Sequence, residues 1–239
     1  MIKFFRGIRQ NYLSEGKTGQ YLKYAIGEIL LVMIGILLAL QVNTWNEKRK
    51  ADQLQFEILQ ELRQSLESDL DDVERKIRMQ GRIMQNQTIF IEWVESNENF
   101  SDTLSRTIFN TYNWTNFDAY DGPFETLKQL GMRNIRNDSL RNQISKLYDI
   151  VYTDYYLISE RYERMLSELF KLSGGHFSEL FSQSTKINDI EQLRSDMAYK
   201  SKLKTLKNLG SFLINGRMYP TKSEIEKTLK MLDQELDKT

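Results

Sequence analysis

Residues Ala25–Val42 read AIGEILLVMIGILLALQV, eighteen residues whose only strongly polar members are Glu28 and Gln41. At 1.5 Å per residue a helix of this length covers roughly 27 Å, close to the hydrocarbon thickness of one bilayer. A buried helix of a water-soluble domain would show a polar face within five turns, and Ile29–Leu40 shows none. The stretch is therefore expected to cross a membrane. It is too long for the apolar region of a cleaved signal peptide, and Ala39-Leu40-Gln41 is a poor small-x-small cleavage site, so an uncleaved signal anchor is expected.

The flanks give the direction of crossing. Lys3, Arg6, Arg9, Lys17 and Lys23 precede the stretch with Glu15 as the lone acid, while Lys48, Arg49 and Lys50 follow it. The larger basic count lies upstream, which places the amino terminus in the cytoplasm and the bulk of the chain outside it, in a periplasm. Phe4, Phe5, Ile8 and Tyr12 fall at helical spacing beside the basic residues, as in a short amphipathic helix lying on an anionic leaflet; the plainer alternative is a basic tail without structure. Phe4, Phe5, Arg6, Arg9, Tyr21, Tyr24 and Trp45 are the expected interfacial anchors, and residues 14–19 are expected to turn the chain into the bilayer.

Within the stretch, Glu28, Gly35, Ala39, Val42 and Asn46 lie within about 40° of one line at 100° per residue. Small residues spaced by four allow close helix contact, and an intramembrane acid usually faces protein or water, so this is the candidate membrane-helix packing face. Two other readings of Glu28 stay open: it snorkels beside Lys23, or it carries protons.

The run from Lys3 to Glu47 resembles a known family. Lys3-Phe4-Phe5-Arg6, Gly16-Lys17-Thr18, Tyr21-Leu22-Lys23-Tyr24-Ala25, Gly27-Glu28-Ile29, Ile34-Gly35-Ile36, Ala39-Leu40-Gln41 and Trp45-Asn46-Glu47 are similar to the amino-terminal signature of an uncharacterised Bacteroidota family of single-pass inner-membrane proteins, catalogued as a domain of unknown function. The likeness is carried mainly by residues 1–50, with Glu125-Thr126-Leu127-Lys128 and Asn137-Asp138-Ser139-Leu140-Arg141 resembling the family's middle. It implies an inner-membrane protein with a helical periplasmic part, and it brings no activity, cofactor or site residue with it.

The rest of the chain reads as helix. The 239 residues carry 33 basic and 33 acidic side chains, 2 prolines and no cysteine, with a mean hydropathy of -0.53. Zero net charge argues against a nucleic-acid partner. The lack of cysteine excludes disulfides and thiolate chemistry, and the lone His176 excludes a multi-histidine metal site within one chain. No glycine-rich phosphate loop and no nucleophile motif is present.

No glycine lies between Gly35 and Gly81 and no proline before Pro123, so one helix is expected from about Tyr24 to Ser96. Its outer part carries Leu59, Leu62, Leu66, Leu70, Val73 and Ile77, a stripe that repeats every eleven residues and is read as the core of a rigid stalk packed by its own domain; a homo-oligomeric coiled coil is the alternative. A short helix is expected from Asp102 to Tyr112, then a loop over 117–123, and a helix from Pro123 to Gly131. A helix capped by Asn137 or Asp138 carries apolar residues at steps of three and four from Leu140 to Leu169, with Tyr148, Tyr152 and Tyr156 as a second row. Asn188 with Glu191 is read as the start of a helix, and Thr221 with Glu224 as a capping box launching the last one. His176 is expected to be a cap or surface group.

The expected architecture is all-α: a cytoplasmic basic amphipathic segment (1–24), a transmembrane helix (25–46) and a periplasmic all-helical domain (47–239) with long helices at about 47–96, 138–172, 188–213 and 221–237. The leading functional expectation is a non-enzymatic inner-membrane scaffold or accessory subunit without cofactor, its partners membrane lipid and either further copies or another envelope protein. A periplasmic ligand-binding or sensor module acting through a partner is the alternative. An enzyme using carboxylates such as Asp121 and Glu125 ranks behind both.

Overall fold

The computed structural model describes residues 18–180 and 184–238, and the protein is almost entirely helical. Helix α1 runs from Thr18 to Glu95, 78 residues without a break. Thr18 and Gly19 are therefore helical, not part of the turn expected over 14–19. The chain divides into two compact units at Leu54/Gln55; the first contributes the apolar part of α1, the second the helical bundle.

In the bundle, α2 (Asp102–Thr111) starts at Ser101, whose side chain accepts from the Leu104 amide. Helix α3 (Gly122–Leu130) has Pro123 in its first turn, where no amide partner is needed, and ends at Gly131. Gly131 has φ +102, a backbone state that a side chain would strain. A 3-10 turn over Met132–Asn134 leads to α4 (Asp138–Ser145), capped by the Asn137 side chain, which accepts from Ser139 and Leu140. A π-helical segment, Lys146–Tyr152, joins α4 to α5 (Thr153–Ser173). Strands β1 (Phe177–Glu179) and β2 (Lys186–Ile187) form a small antiparallel hairpin, with Phe177 opposite Ile187. Then come α6 (Ile190–Ser195), α7 (Met197–Leu213), a second π-helical segment (Ile214–Met218) and α8 (Tyr219–Leu236).

Two expected helix starts are corrected. Asp189, not Asn188, caps α6 by accepting from Gln192, and Asp196 restarts the chain as α7 by accepting from Tyr199. Thr221 and Glu224 do not form a capping box. Thr221 is fully buried inside a helical run that continues from α7, and Glu224 accepts from Gln143 and Lys146 instead. Pro220 has no amide to donate to the carbonyl of Gly216, which would ordinarily end the helix. Here a π-turn opens the backbone at that point, and the Arg217 guanidinium donates to the Gly216 carbonyl at 2.8 Å. The signal that reads as punctuation is absorbed within the helix.

The face that α1 buries differs in period from the apolar stripe. Leu59, Leu62, Leu66 and Val73 are fully buried, while Leu70 and Ile77 are only partly covered. Gln55, Leu59, Leu62, Leu66, Asp69 and Val73 alternate in steps of four and three; Gln80, Ile83, Gln87, Phe90 and Val94 continue the same phase. The burial period is thus seven residues, not eleven, because buried polar residues occupy positions that an apolar count passes over. Helix α5 packs along α7, and Gly210 marks the closest approach, where a Cβ would lie 3.2 Å from both Gln80 Nε2 and Tyr162 Cε2.

The two periods make different predictions for alanine substitution. Leu59→Ala and Leu66→Ala should each destabilise the full chain by about 2–5 kcal/mol, and Leu70→Ala and Ile77→Ala by less than half as much. Thermal melting in detergent measures the difference; equal losses at all four positions would restore the eleven-residue face.

Candidate functional site

The first feature is the sleeve around the apolar part of α1. Its best eighteen-residue window has a mean hydropathy of 2.4, and none of that window is buried. Leu30, Ile34, Leu37 and Leu40 are all exposed, so the side chains the fold leaves uncovered are those that favour lipid over water. Gly35, Ala39 and Val42 are exposed on this helix, while Glu28 and Asn46 are half-buried; a Cβ at Gly35 would meet nothing within 4 Å. Trp45 is exposed at the end of the stretch, with the Arg49 guanidinium 5.8 Å from its ring centre. Phe4, Phe5, Arg6 and Arg9 lie outside the described residues, as do the side chains of Tyr21 and Tyr24.

The second feature lies in the bundle, where the buried polar residues of α1 hold the segment that follows α2. Gln87 Nε2 donates to the Thr111 carbonyl at 3.2 Å and to the Tyr162 hydroxyl at 2.8 Å. Gln80 Oε1 accepts from Thr115 at 3.3 Å. Asp69 accepts from the Tyr120 amide and from the Tyr152 hydroxyl, both at 2.8 Å. Gln55 Oε1 accepts from the Arg136 amide at 3.3 Å. Going down α1 from Gln87 to Gln55, the partners advance from Thr111 to Arg136, so the segment runs antiparallel to the helix and is fastened at four stations. Phe117 fills the space between the middle two, fully buried, with ring centres of Tyr152 and Tyr155 each 5.2 Å away. The loop expected over 117–123 is irregular only over 117–121, since Gly122 and Pro123 already belong to α3, and its backbone is fixed: Ala119 also donates to the Tyr156 hydroxyl at 3.0 Å.

These groups are held and closed to solvent. Asp69 is 2% exposed. Burial raises its carboxyl above the usual range, partly opposed by the bonds from Tyr120 and Tyr152. Burial likewise pushes the phenols of Tyr148, Tyr152 and Tyr155 up, so all three stay neutral, Tyr148 and Tyr152 bonded to Ser65 and Asp69 and the Tyr155 hydroxyl without a protein partner among the described residues. Tyr148 stacks on Phe124 at 4.3 Å, which packs the aromatic row into the core. Of the carboxylates singled out in the sequence, Glu125 pairs with Lys128 at 3.0 Å. Among the described residues, no group of three acidic or histidine side chains could hold a metal ion.

His176 corrects another expectation. It is 4% exposed, not a surface group, and its Nε2 lies 2.8 Å from Asp196 Oδ2. The other oxygen of Asp196 accepts from the Tyr199 amide, and that bond is the main reason its carboxyl lies below the ordinary value. The imidazole thus positions the carboxylate that starts α7, packed edge-on against Tyr199 at 5.1 Å. The Tyr199 hydroxyl in turn bonds to that of Tyr112 at the end of α2.

The same fastened segment presents Trp114. Its neighbours Tyr112 and Thr115 are buried, yet Trp114 is 50% exposed. It lines a groove of about 520 Å³ that also includes Met79, Arg82, Ile83, Asn86, Asn110 and Asn113. A smaller, almost wholly apolar hollow beside Leu166 and Phe170 lies on its other side.

A long apolar helix that leaves its sleeve uncovered and runs on into a helical bundle defines the class of this protein: all-α, with one candidate membrane span among the described residues. Within that class the chain belongs to a family of unknown function, DUF6090, matched over residues 28–213. The match begins inside the apolar stretch and reaches the end of α7, so the bundle carries the family likeness more than the first fifty residues do. No curated protein and no solved structure matches the chain.

The buried polar residues that an apolar count misses are Gln55, Asp69, Gln80 and Gln87. Their signal is phase: each falls in the seven-residue frame set by Leu59, Leu62, Leu66 and Val73. Asp69→Ala would orphan the Tyr152 hydroxyl and the Tyr120 amide, at an expected cost of about 2–4 kcal/mol. Asp69 also confers a pH dependence. The folded chain holds its proton more tightly than the unfolded chain, where the carboxyl titrates near 3.8. Stability therefore falls as pH rises from that value through the raised folded one, and is flat above. Melting midpoints of Asp69→Asn should lack this slope, since the amide does not titrate while its oxygen can accept from the Tyr120 amide and its Nδ2 can donate to a rotated Tyr152 hydroxyl; an unchanged slope would assign it to another group.

Proposed function

We propose that this protein is a non-enzymatic single-pass inner-membrane scaffold or accessory subunit. In this reading the apolar part of α1 anchors it, with the amino terminus in the cytoplasm and the helical bundle in the periplasm. Through its membrane helix and bundle it self-associates or joins a larger envelope complex.

The observation that carries the reading is the uncovered sleeve of Ala25–Val42 on a helix that continues without interruption to Glu95. Burying such a stretch in lipid recovers the transfer free energy that its exposure forgoes, roughly 25 cal/mol per Å² of apolar surface. The basic excess upstream supports the orientation. A non-enzymatic role is supported by the use the fold makes of its buried ionisable groups: Asp69 fastens a loop, and His176 with Asp196 fastens a helix start.

The absence of cysteine allows single introduced cysteines to report topology. A cysteine at Asn97 should react with a membrane-impermeant maleimide in cells whose outer membrane has been permeabilised, and the protein should stay with the membrane after alkaline carbonate washing. Native mass spectrometry of the gently extracted protein should give a multiple of 28.3 kDa or a mass that includes a partner. Release by carbonate would overturn the anchor, and a lone monomer from native membranes would overturn the scaffold.

A further inference from the structure

From the groove beside Trp114, we infer a binding site for an oligosaccharide that carries a carboxylate. A large aromatic ring normally finds cover in a folded core. Trp114 stays half exposed although the chain on both sides of it is fixed: the Tyr112 hydroxyl is bonded to Tyr199, and Thr115 to Gln80. The ring is therefore displayed by a rigid mount.

Met79 and Ile83 line part of the groove, and the remaining groups are polar and partly unengaged. Asn86 spends its amide N–H on the Arg82 carbonyl at 2.8 Å, which leaves its side-chain oxygen open to the groove. Asn113 donates to Asn110 Oδ1 at 3.3 Å, which leaves the Asn113 oxygen and the Asn110 amino group. The site thus offers both acceptors and donors on half-buried, positioned amides. Vicinal sugar hydroxyls, which donate and accept at once, match that set, and the C–H face of a pyranose matches a flat indole.

Arg82 decides the charge. It is exposed, forms no ion pair among the described residues, and is the lone charged group lining a groove that has no carboxylate. A planar guanidinium of this kind pairs bidentately with a carboxylate. A purely apolar ligand would leave the amides and the guanidinium desolvated without partners. At about 520 Å³ the groove falls within the usual range for small-molecule sites.

The test is calorimetric titration of the full chain in nanodiscs with three probes. These are a tetrasaccharide alternating N-acetylglucosamine and N-acetylmuramic acid, a trigalacturonate, and neutral chitotetraose. At least one acidic probe should bind more tightly than chitotetraose, with a change in tryptophan emission, and which one binds tells a cell-wall glycan from a polyuronate. Trp114→Ala should weaken that binding by about tenfold or more, and Arg82→Gln should abolish the preference for the acidic sugar. Both side chains are exposed, so melting midpoints should not move; if Trp114→Ala does shift its midpoint, Asn110→Ala carries the same expected loss of affinity. Absence of binding by all three probes, binding that survives Trp114→Ala, equal affinity for chitotetraose, or a protein partner seated on Trp114 without saccharide affinity would each overturn the inference.

Discussion

The bundle depends on a row of buried polar side chains on one helix. Gln55, Asp69, Gln80 and Gln87 sit on the inner face of α1 and reach across to the chain between Thr111 and Arg136. The irregular stretches of this segment, on either side of α3, cannot satisfy all their own backbone groups, and a buried orphan amide or carbonyl costs about 1–3 kcal/mol. The α1 residues supply partners, and Phe117 supplies the apolar filling between them. Tyr148 and Tyr152 of the aromatic row, with Tyr155 from the neighbouring face, pack around Phe117 and each other.

This arrangement explains why the sequence is readable in some places and not in others. Asn137, Pro123 with Gly131, and the stop after Ser173 are local devices, each satisfied by neighbours within a few residues, so pattern alone locates them. The apolar positions Leu59, Leu62, Leu66 and Val73 are legible for the same reason. Asp69 and Gln80 are not, because their burial depends on Tyr120 and Thr115, which lie 51 and 35 residues away. Pro220 misleads in the opposite direction: it normally closes a helix, but a π-turn and the Arg217 side chain carry the chain past it. His176 reads as a surface residue because nothing near it in sequence announces Asp196, twenty residues further on.

The sleeve of α1 and the groove beside Trp114 are exposed surfaces that differ in chemistry. The sleeve from Ala25 to Val42 is apolar except at Glu28 and Gln41, as a candidate membrane span should be. The Trp114 groove is mixed, with one indole, three amides and a guanidinium. Each lies within its own unit, and α1 belongs to both, as the membrane-crossing candidate in the first and as the fastening rail in the second. For an anchored protein of the proposed kind, that division assigns retention to one half of the helix and recognition to the surface organised by the other.

The claim that α1 fastens the 111–136 segment is tested most directly by hydrogen exchange followed by mass spectrometry on the full chain, comparing the wild type with Asp69→Ala. Peptides covering 117–122 should be protected in the wild type and should lose protection in the variant, while peptides from α5 and α8 keep theirs. Rapid exchange over 117–122 in the wild type, or protection there that is indifferent to Asp69→Ala, would contradict it.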